Sequence, residues 1–145
     1  MLVARDDTMI PNLKWMIGLS IVAVEKKDYT WFFRLNDGAV IAATDSPWRL
    51  VTPKGVAITS EDHGHQFGLP SPVDAAEIVK PQALGRRIDN CEVDKKTGTS
   101  SSTWDQFLLR SYVFSSGYEA WHLTHSSLEI VCTGGGKIVN INEMK

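Results

Sequence analysis

The chain has 145 residues, of which 43% are hydrophobic and 22% are charged, and its formal net charge is −2. These values exclude an intrinsically disordered chain and indicate one globular domain, residues 1–145, with a single hydrophobic core. The near-neutral charge also excludes an overall basic field of the kind that attracts proteins to nucleic-acid phosphates.

The start of the chain predicts an arm followed by a strand. The first twelve residues show no period, and the apolar, β-branched stretch at residues 14–24 predicts the first strand. Its apolar run is too short to span a membrane, and no signal-peptide pattern precedes it. We therefore expect a cytoplasmic protein with no membrane partner.

The two cysteines, Cys91 and Cys132, lack metal-ligand spacing, so we expect buried thiols.

Further strands are predicted before residue 60. A turn at residues 25–28 leads into residues 30–35, where apolar side chains alternate as they do in a half-buried strand. An Asp-Gly pair then predicts a hairpin turn. Residues 40–51 predict a long third strand that is bent, bulged or at an edge near Pro47, because proline cannot donate to a ladder. Residues 56–59 predict the fourth strand.

One helix is predicted after these strands, at residues 72–80. Ser71 is a suitable N-cap, Pro72 suits the first helical position, and Asp74 stands at the capping-box position. The helix is expected to end before Pro81, which obstructs the backbone hydrogen bonding of a helix interior.

The chain contains an internal repeat. Residues 29–50 match residues 102–123 without a gap. Four tryptophans fall into register between the copies, each pair 73 positions apart: Trp31 with Trp104, and Trp48 with Trp121. We interpret this as a duplication with pseudo-repeats at about 14–60 and 86–132, and we expect the four tryptophans in the core. The predicted fold class is α+β: an internally duplicated β4-α-β4 chain with two antiparallel four-stranded sheets, one main helix between the halves and a ninth short strand at residues 137–142.

Catalytic motifs are missing from the sequence. Residues 134–137 (GGGK) lack the first glycine and the hydroxyl residue of a phosphate loop, so we interpret the glycines as a bulge or a close backbone approach. His63 and His65 fit three roles: weak metal ligands, contacts to a partner, or residues of a loop whose polar groups cap strand ends. Lysine pairs at 26–27 and 95–96 fit a nucleic-acid surface or solvated turns. We expect no enzyme activity, no cofactor and no metal.

Several short segments carry a family resemblance. Residues 60–64 (SEDHG), 67–70 (FGLP), 115–121 (SSGYEAW) and 134–136 (GGG) resemble an uncharacterised family of small bacterial proteins, over residues 14–142. The size and pattern of the chain also resemble an immunity protein of the contact-dependent growth inhibition type. In fold, that immunity protein is similar to the Whirly single-stranded nucleic-acid-binding proteins.

The resemblance implies a partner and an architecture. The implied partner is the toxin domain of a large secreted effector, a colicin-like nuclease that cuts ribosomal RNA. The implied architecture is Whirly-like, with two four-stranded antiparallel sheets related by an internal pseudo-twofold. The lysine-rich KGKAAL signature of Whirly proteins is missing, and residues 54–58 (KGVAI) are only a distant echo of it. This difference argues against nucleic-acid binding.

We hypothesise an immunity protein that binds its cognate nuclease toxin and covers the toxin's active or RNA-binding surface. Acidic loops are expected to face the basic RNA-binding surface of the toxin. The expected partner contacts are Asp6, Asp7, Glu61, Asp62, His63, Asp89, Glu92 and Asp94. The alternative is a single-stranded nucleic-acid-binding module, which would use stacking aromatics beside a basic groove. An enzyme or small-ligand binder is a third class, for which the sequence offers no residue constellation.

Overall fold

The protein is α+β, with antiparallel sheets and one α-helix in its described part. A computed structural model describes residues 13–44 and 46–141. The strands and the helix are β1 (Ile21–Lys27), β2 (Thr30–Leu35), β3 (Val40–Ala43), β4 (Trp48–Thr52), β5 (Gly55–Thr59), α1 (Ala75–Ala83), β6 (Asn90–Val93), β7 (Ser100–Trp104), β8 (Phe107–Ser111), β9 (Trp121–His125), β10 (Leu128–Cys132) and β11 (Ile138–Asn140). The predicted fold class is confirmed at this level.

The strands form one six-stranded and one five-stranded sheet, so the predicted four-plus-four arrangement is wrong. The strand orders are β1-β2-β3-β9-β10-β11 and β5-β4-β8-β7-β6. The first half of the chain gives three strands to the first sheet and two to the second. The second half gives three strands to the five-stranded sheet, and the remaining ones to the six-stranded sheet. Each half therefore crosses from one sheet to the other.

The predicted third strand, residues 40–51, is in fact two strands in different sheets. β3 ends at Ala43 and β4 begins at Trp48. We call the described residues between them, Thr44, Ser46 and Pro47, the first crossover. Proline cannot donate to a ladder, and the hydroxyl of buried Ser46 donates to the carbonyl of Tyr112 instead. The predicted irregularity at Pro47 is therefore a change of sheet.

The second crossover, residues 112–120, joins β8 to β9 and hydrogen-bonds to the first. The amide of Tyr112 donates to the carbonyl of Pro47, and the amide of Thr44 donates to the carbonyl of Ala120. The second crossover has nine residues, whereas four residues separate Ala43 from Trp48 in the sequence. The second crossover is therefore the longer of the two.

Strand pairing places one of the two predicted tryptophan pairs in matching positions and the other pair in different ones. Ala43 lies opposite Trp121, and Ser111 lies opposite Trp48, so the two tryptophans occupy equivalent places. Trp31 pairs with Ala43, but the residue that pairs with Ser111 from the equivalent strand is Ser100. Trp31 and Trp104 therefore do not occupy matching positions in the strand pairing.

The core lies between the inner faces of the two sheets and includes all four tryptophans of the repeat. Trp31, Trp48, Trp104 and Trp121 are 1–4% exposed, as predicted. Both cysteines are buried thiols, also as predicted, and burial raises the pKa of the Cys91 thiol.

Helix α1 begins and ends three residues later than predicted. Its N-cap is Asp74, whose carboxylate accepts a hydrogen bond from the amide of Glu77, so Ser71 and Pro72 precede the helix. Pro81 lies inside the last turn, where only one backbone hydrogen bond is lost. The helix packs Ala75, Val79 and Ala83 against β1 and β5.

The first strand also begins later than predicted. Lys14–Met16 form a 3-10 turn, and Gly18 adopts a positive φ of 90° before β1 begins at Ile21. β1 continues to Lys27, so the hairpin turn lies at Asp28 and Tyr29 rather than at residues 25–28. In contrast, β2 has its predicted bounds, and β11 lies within the predicted residues 137–142.

Candidate functional site

An open groove of about 410 Å³ lies where the two crossovers meet. Three of its lining side chains are aromatic rings that the fold leaves in solvent: Tyr29, Phe114 and Tyr118 are 85%, 76% and 72% exposed. Trp31 forms part of the same lining but is only 4% exposed. Exposed aromatic residues grouped around a concavity mark an interaction site, because a single stable chain gains nothing from leaving them in water.

The buried side of the groove is rigid. The ring of Trp31 packs edge-to-face against Trp48 at 5.0 Å and against His63 at 5.5 Å between centroids. The amide of Trp48 donates to the hydroxyl of Ser60 at 2.9 Å. Ser46, whose hydroxyl donates to the second crossover, lines the groove as well. A partner would therefore meet a preorganised surface, which lowers the entropy cost of binding.

The exposed rings come from two turns that are far apart in the sequence. Tyr29 belongs to the β1–β2 hairpin, where Asp28 adopts a positive φ of 55° that the tight turn requires. Phe114 and Tyr118 belong to the second crossover. Within it, the hydroxyl of Ser115 accepts hydrogen bonds from the amides of Gly117 and Tyr118, at 3.0 and 2.8 Å.

The glycine triplet Gly134–Gly136 fixes the tip of the second crossover. The amide of Gly135 donates to the carbonyl of Ser115 at 2.8 Å. A Cβ atom on Gly134 would lie 2.5 Å from the backbone of Gly117, and one on Gly136 would lie 2.3 Å from the carbonyl oxygen of Thr97. The predicted close backbone approach is confirmed, and strand β11 follows the triplet.

Among the predicted partner contacts that the structure describes, only Glu61 lines this groove. Its side chain is exposed and forms no hydrogen bond or ion pair with any other described residue. The nearby ammonium group of Lys26 donates to the backbone carbonyl of Asp28. Among its described residues, the groove thus combines aromatic rings with the carboxylate of Glu61 and the ammonium group of Lys26. The rings and the carboxylate suit a cationic side chain.

Asp62 and His63, the neighbours of Glu61, serve the fold. Asp62 completes a capping box with Thr59: its carboxylate accepts from the Thr59 amide at 3.0 Å, and its amide donates to the Thr59 hydroxyl at 3.2 Å. The Nδ1 atom of His63 accepts from the amide of Ala75 at 3.1 Å. His65 stacks on Phe67. In the described ranges, no three His, Cys, Asp or Glu side chains group as metal ligands.

The other predicted contacts do not line the groove. Asp89 accepts from the amide of Asp105 at 2.6 Å, and Glu92 accepts from the side-chain amide of Asn90 at 3.1 Å. Asp94 accepts from two backbone amides in the β6–β7 turn. Asp6 and Asp7 lie outside the described residues. The structure thus brings only Glu61 to the aromatic groove, and the sequence hypothesis missed its three exposed rings.

Asp94 should titrate below the usual range of a carboxyl group. Hydrogen bonds from the amides of Thr97 and Lys96 lower the pKa of Asp94. Because the folded pKa is depressed, the stabilisation of this turn is complete above the unfolded pKa of about 3.9 and is lost as pH falls through the folded value. An NMR titration of the Asp94 carboxyl should give a lower pKa than in a peptide covering residues 90–103. Equal values would contradict these hydrogen bonds.

Comparisons with protein-family models, with curated proteins and with solved structures found no match for this chain. Within residues 13–44 and 46–141, no helix has the length and apolar character needed to cross a membrane.

Proposed function

We propose that this chain is an immunity protein that binds a cognate nuclease toxin domain through the aromatic groove. The observation that carries the proposal is the group of three exposed rings, Tyr29, Phe114 and Tyr118, around a rigid concavity that also holds the unpaired carboxylate of Glu61. Aromatic residues are enriched at protein interfaces, and tyrosine is enriched among their hot spots. Binding alone would block the toxin, so the proposal requires no catalytic residue.

The Glu61 carboxylate and the exposed rings support a basic partner, although the basic residue Lys26 lines the same groove. A nuclease presents a basic surface to RNA, and an acidic group facing that surface raises the association rate and the specificity of binding. Aromatic rings hold arginine and lysine side chains by cation–π interactions of about 0.5–2 kcal/mol each. Glu61 beside Tyr29 and Tyr118 offers both interactions in one place. A stable interface of about 1,600 Å² would extend beyond the groove onto the surrounding loops.

The Whirly-like relationship and the duplication remain part of this proposal. Their support is the strand pairing, in which each half of the chain crosses between the sheets and the Ala43/Trp121 pair has its counterpart in Ser111/Trp48. The first half of the chain gives three strands to one sheet and two to the other, whereas the resemblance implies four strands in each sheet.

The alternative function is binding of single-stranded nucleic acid. Exposed rings such as Phe114 and Tyr118 suit base stacking, which contributes about 1–3 kcal/mol per base. The unpaired Glu61 in the same groove disfavours a polyanion. Fluorescence titration with short single strands at several salt concentrations tests this alternative, which predicts an affinity that falls steeply with salt. No binding at low salt would eliminate it.

Co-expression with the nuclease domain encoded beside this chain tests the main proposal. The two proteins should co-purify, and the chain should restore growth of cells that produce the nuclease. A Phe114→Ala/Tyr118→Ala double variant should fail in both assays at an unchanged expression level. Phe67→Ala, which removes an equally exposed ring outside the groove, is the matched control. Failure of the unaltered chain to bind and to rescue growth would refute the proposal.

A further inference from the structure

The outer face of the five-stranded sheet carries two arginines directly opposite each other. Arg49 on β4 pairs with Arg110 on β8. Their neighbours Leu50 and Leu109 are buried, so both arginine side chains lie on the solvent side of the sheet. Opposed residues on neighbouring strands have Cβ atoms about 4.5–5.5 Å apart, and like charges in such pairs are destabilising. The stability of the fold therefore does not explain why two arginines lie opposite each other.

No carboxylate of the described residues forms an ion pair with either arginine. Arg34 and Arg86 form ion pairs with Glu25 and Asp105, whereas Arg49 and Arg110 form none with a described residue. The guanidinium of Arg49 lies over the ring of Tyr112, 5.3 Å from its centroid.

Neighbouring groups hold the two arginines in place and add polar atoms. The Nε atom of Arg110 donates to the hydroxyl of Ser101 at 3.0 Å, which leaves the two terminal nitrogens of its fork for another acceptor. One row across four strands contains Thr59, Arg49, Arg110 and Ser101, so a hydroxyl residue flanks the pair on each side. The hydroxyl of Tyr112 is buried and has no hydrogen-bond partner among the described residues.

An open groove of about 570 Å³ adjoins the pair. Arg110, Ser101 and Tyr112 line it, together with the acidic residues Glu92 and Asp94. Glu92 pairs with Ser101 across the strands, one strand further from Arg110, and its carboxylate accepts from Asn90. The carboxylate of Asp94 accepts from turn amides. Both acidic groups are thus engaged locally, and space for a ligand remains next to Arg110.

We propose that Arg49 and Arg110 form a binding site for a phosphate group. A phosphate monoester carries about −1.5 to −2 charges at pH 7 and so neutralises both guanidinium groups, whereas a carboxylate neutralises only one. Guanidinium forks also match phosphate oxygens with paired hydrogen bonds. Neither arginine lines the aromatic groove, and the site does not depend on the immunity proposal. Its phosphate is either free or carried by a nucleotide. The base of a nucleotide would reach the exposed ring of Phe114, which lines the aromatic groove and lies 5.9 Å from the ring of Tyr112.

NMR titration of the intact chain with inorganic phosphate at low salt tests the site. Amide signals of Ser101, Arg110 and Tyr112 should shift in a saturable way. Arg49→Gln and Arg110→Gln should each weaken phosphate binding at least tenfold. Arg49→Lys should weaken it less, because the charge remains while the fork is lost. Arg34→Gln removes the same charge from an ion-paired arginine of the other sheet, and it should leave phosphate binding unchanged.

A second set of titrations identifies the source of the phosphate. A 5′-mononucleotide that binds at least tenfold more tightly than inorganic phosphate, with shifts in the ring signals of Phe114, would assign the site to a nucleotide. Equal affinities would assign it to free phosphate. Three results would overturn the inference. The amide signals do not shift up to about 10 mM phosphate, or chloride at matched ionic strength shifts them equally. The third is that the glutamine variants bind phosphate as tightly as the unaltered chain does.

Discussion

Replacing Gly136 by alanine is expected to lower the free energy of unfolding by roughly 3 kcal/mol or more, whereas the same change at Gly135 should cost about 1–2 kcal/mol. Both residues have a positive φ, 88° and 83°, so an alanine at either position would be strained in the left-handed conformation. They differ in space: a Cβ atom on Gly136 would lie 2.3 Å from the Thr97 carbonyl oxygen, and one on Gly135 would meet nothing closer than 4.0 Å. The difference between the variants therefore isolates the cost of the close approach.

The effect of Gly136→Ala should spread into the core and be visible in denaturant unfolding. The neighbour of Thr97, Gly98, accepts the indole hydrogen bond of Trp121 at 2.9 Å, and its own added Cβ atom would lie 2.6 Å from the sulfur of Cys132. A displaced turn would disturb the environment of Trp121. Equilibrium unfolding followed by tryptophan fluorescence measures both variants. Equal losses for Gly135→Ala and Gly136→Ala would contradict the packing described for the triplet.

Replacing Phe114 or Tyr118 by alanine should weaken binding of the nuclease domain about 30-fold each, because truncation of an aromatic hot spot costs about 2 kcal/mol or more. The stability of the free chain should hardly change, since the two rings are 76% and 72% exposed. Isothermal titration calorimetry with the purified domain measures the affinity, and thermal unfolding measures the stability.

Phe67→Ala is the matched control for the loss of an exposed ring. Phe67 is 65% exposed, stacks on His65 and does not line the groove. Its replacement should leave the affinity within about twofold of the unaltered chain, since near-neutral residues surround most hot spots. A loss as large as that of Tyr118→Ala would show that the interface lies elsewhere or covers both regions.

The sequence predicted those elements whose side chains show a clear period. β2 has its predicted bounds because buried residues alternate with partly buried or exposed ones from Thr30 to Leu35 and a tight turn follows. The predicted strand at residues 40–51 failed because a chain that bends within one sheet and a chain that crosses to another share the same local signal at Pro47. Only the partners of each strand distinguish the two, and these are long-range contacts.

The predicted repeat stays a prediction, and strand pairing agrees with one of its two tryptophan pairs. Trp48 and Trp121 begin β4 and β9, and each lies opposite the residue that ends the strand before the other crossover. Trp31 lies opposite Ala43, whereas Ser100 rather than Trp104 lies opposite Ser111. An alignment by residue identity takes no account of the different lengths of the two crossovers.

Charge alone does not distinguish an acidic residue that binds a partner from one that stabilises the fold. Asp62 and Glu61 are adjacent acidic residues with the same charge. The carboxylate of Asp62 caps a helical turn, whereas that of Glu61 faces solvent without a partner. The aromatic groove combines the β1–β2 hairpin with the second crossover, and no local pattern connects Tyr29 with Phe114.

Hydrogen exchange of the free chain and of its complex with the nuclease domain tests most directly whether the aromatic groove is the partner-binding surface. We predict slower exchange in the complex for the backbone amides of residues 28–31, 60–61 and 112–118, the segments that supply the groove. Unchanged exchange in these segments, with protection confined to the β6–β7 hairpin or to the outer sheet faces, would contradict the proposal.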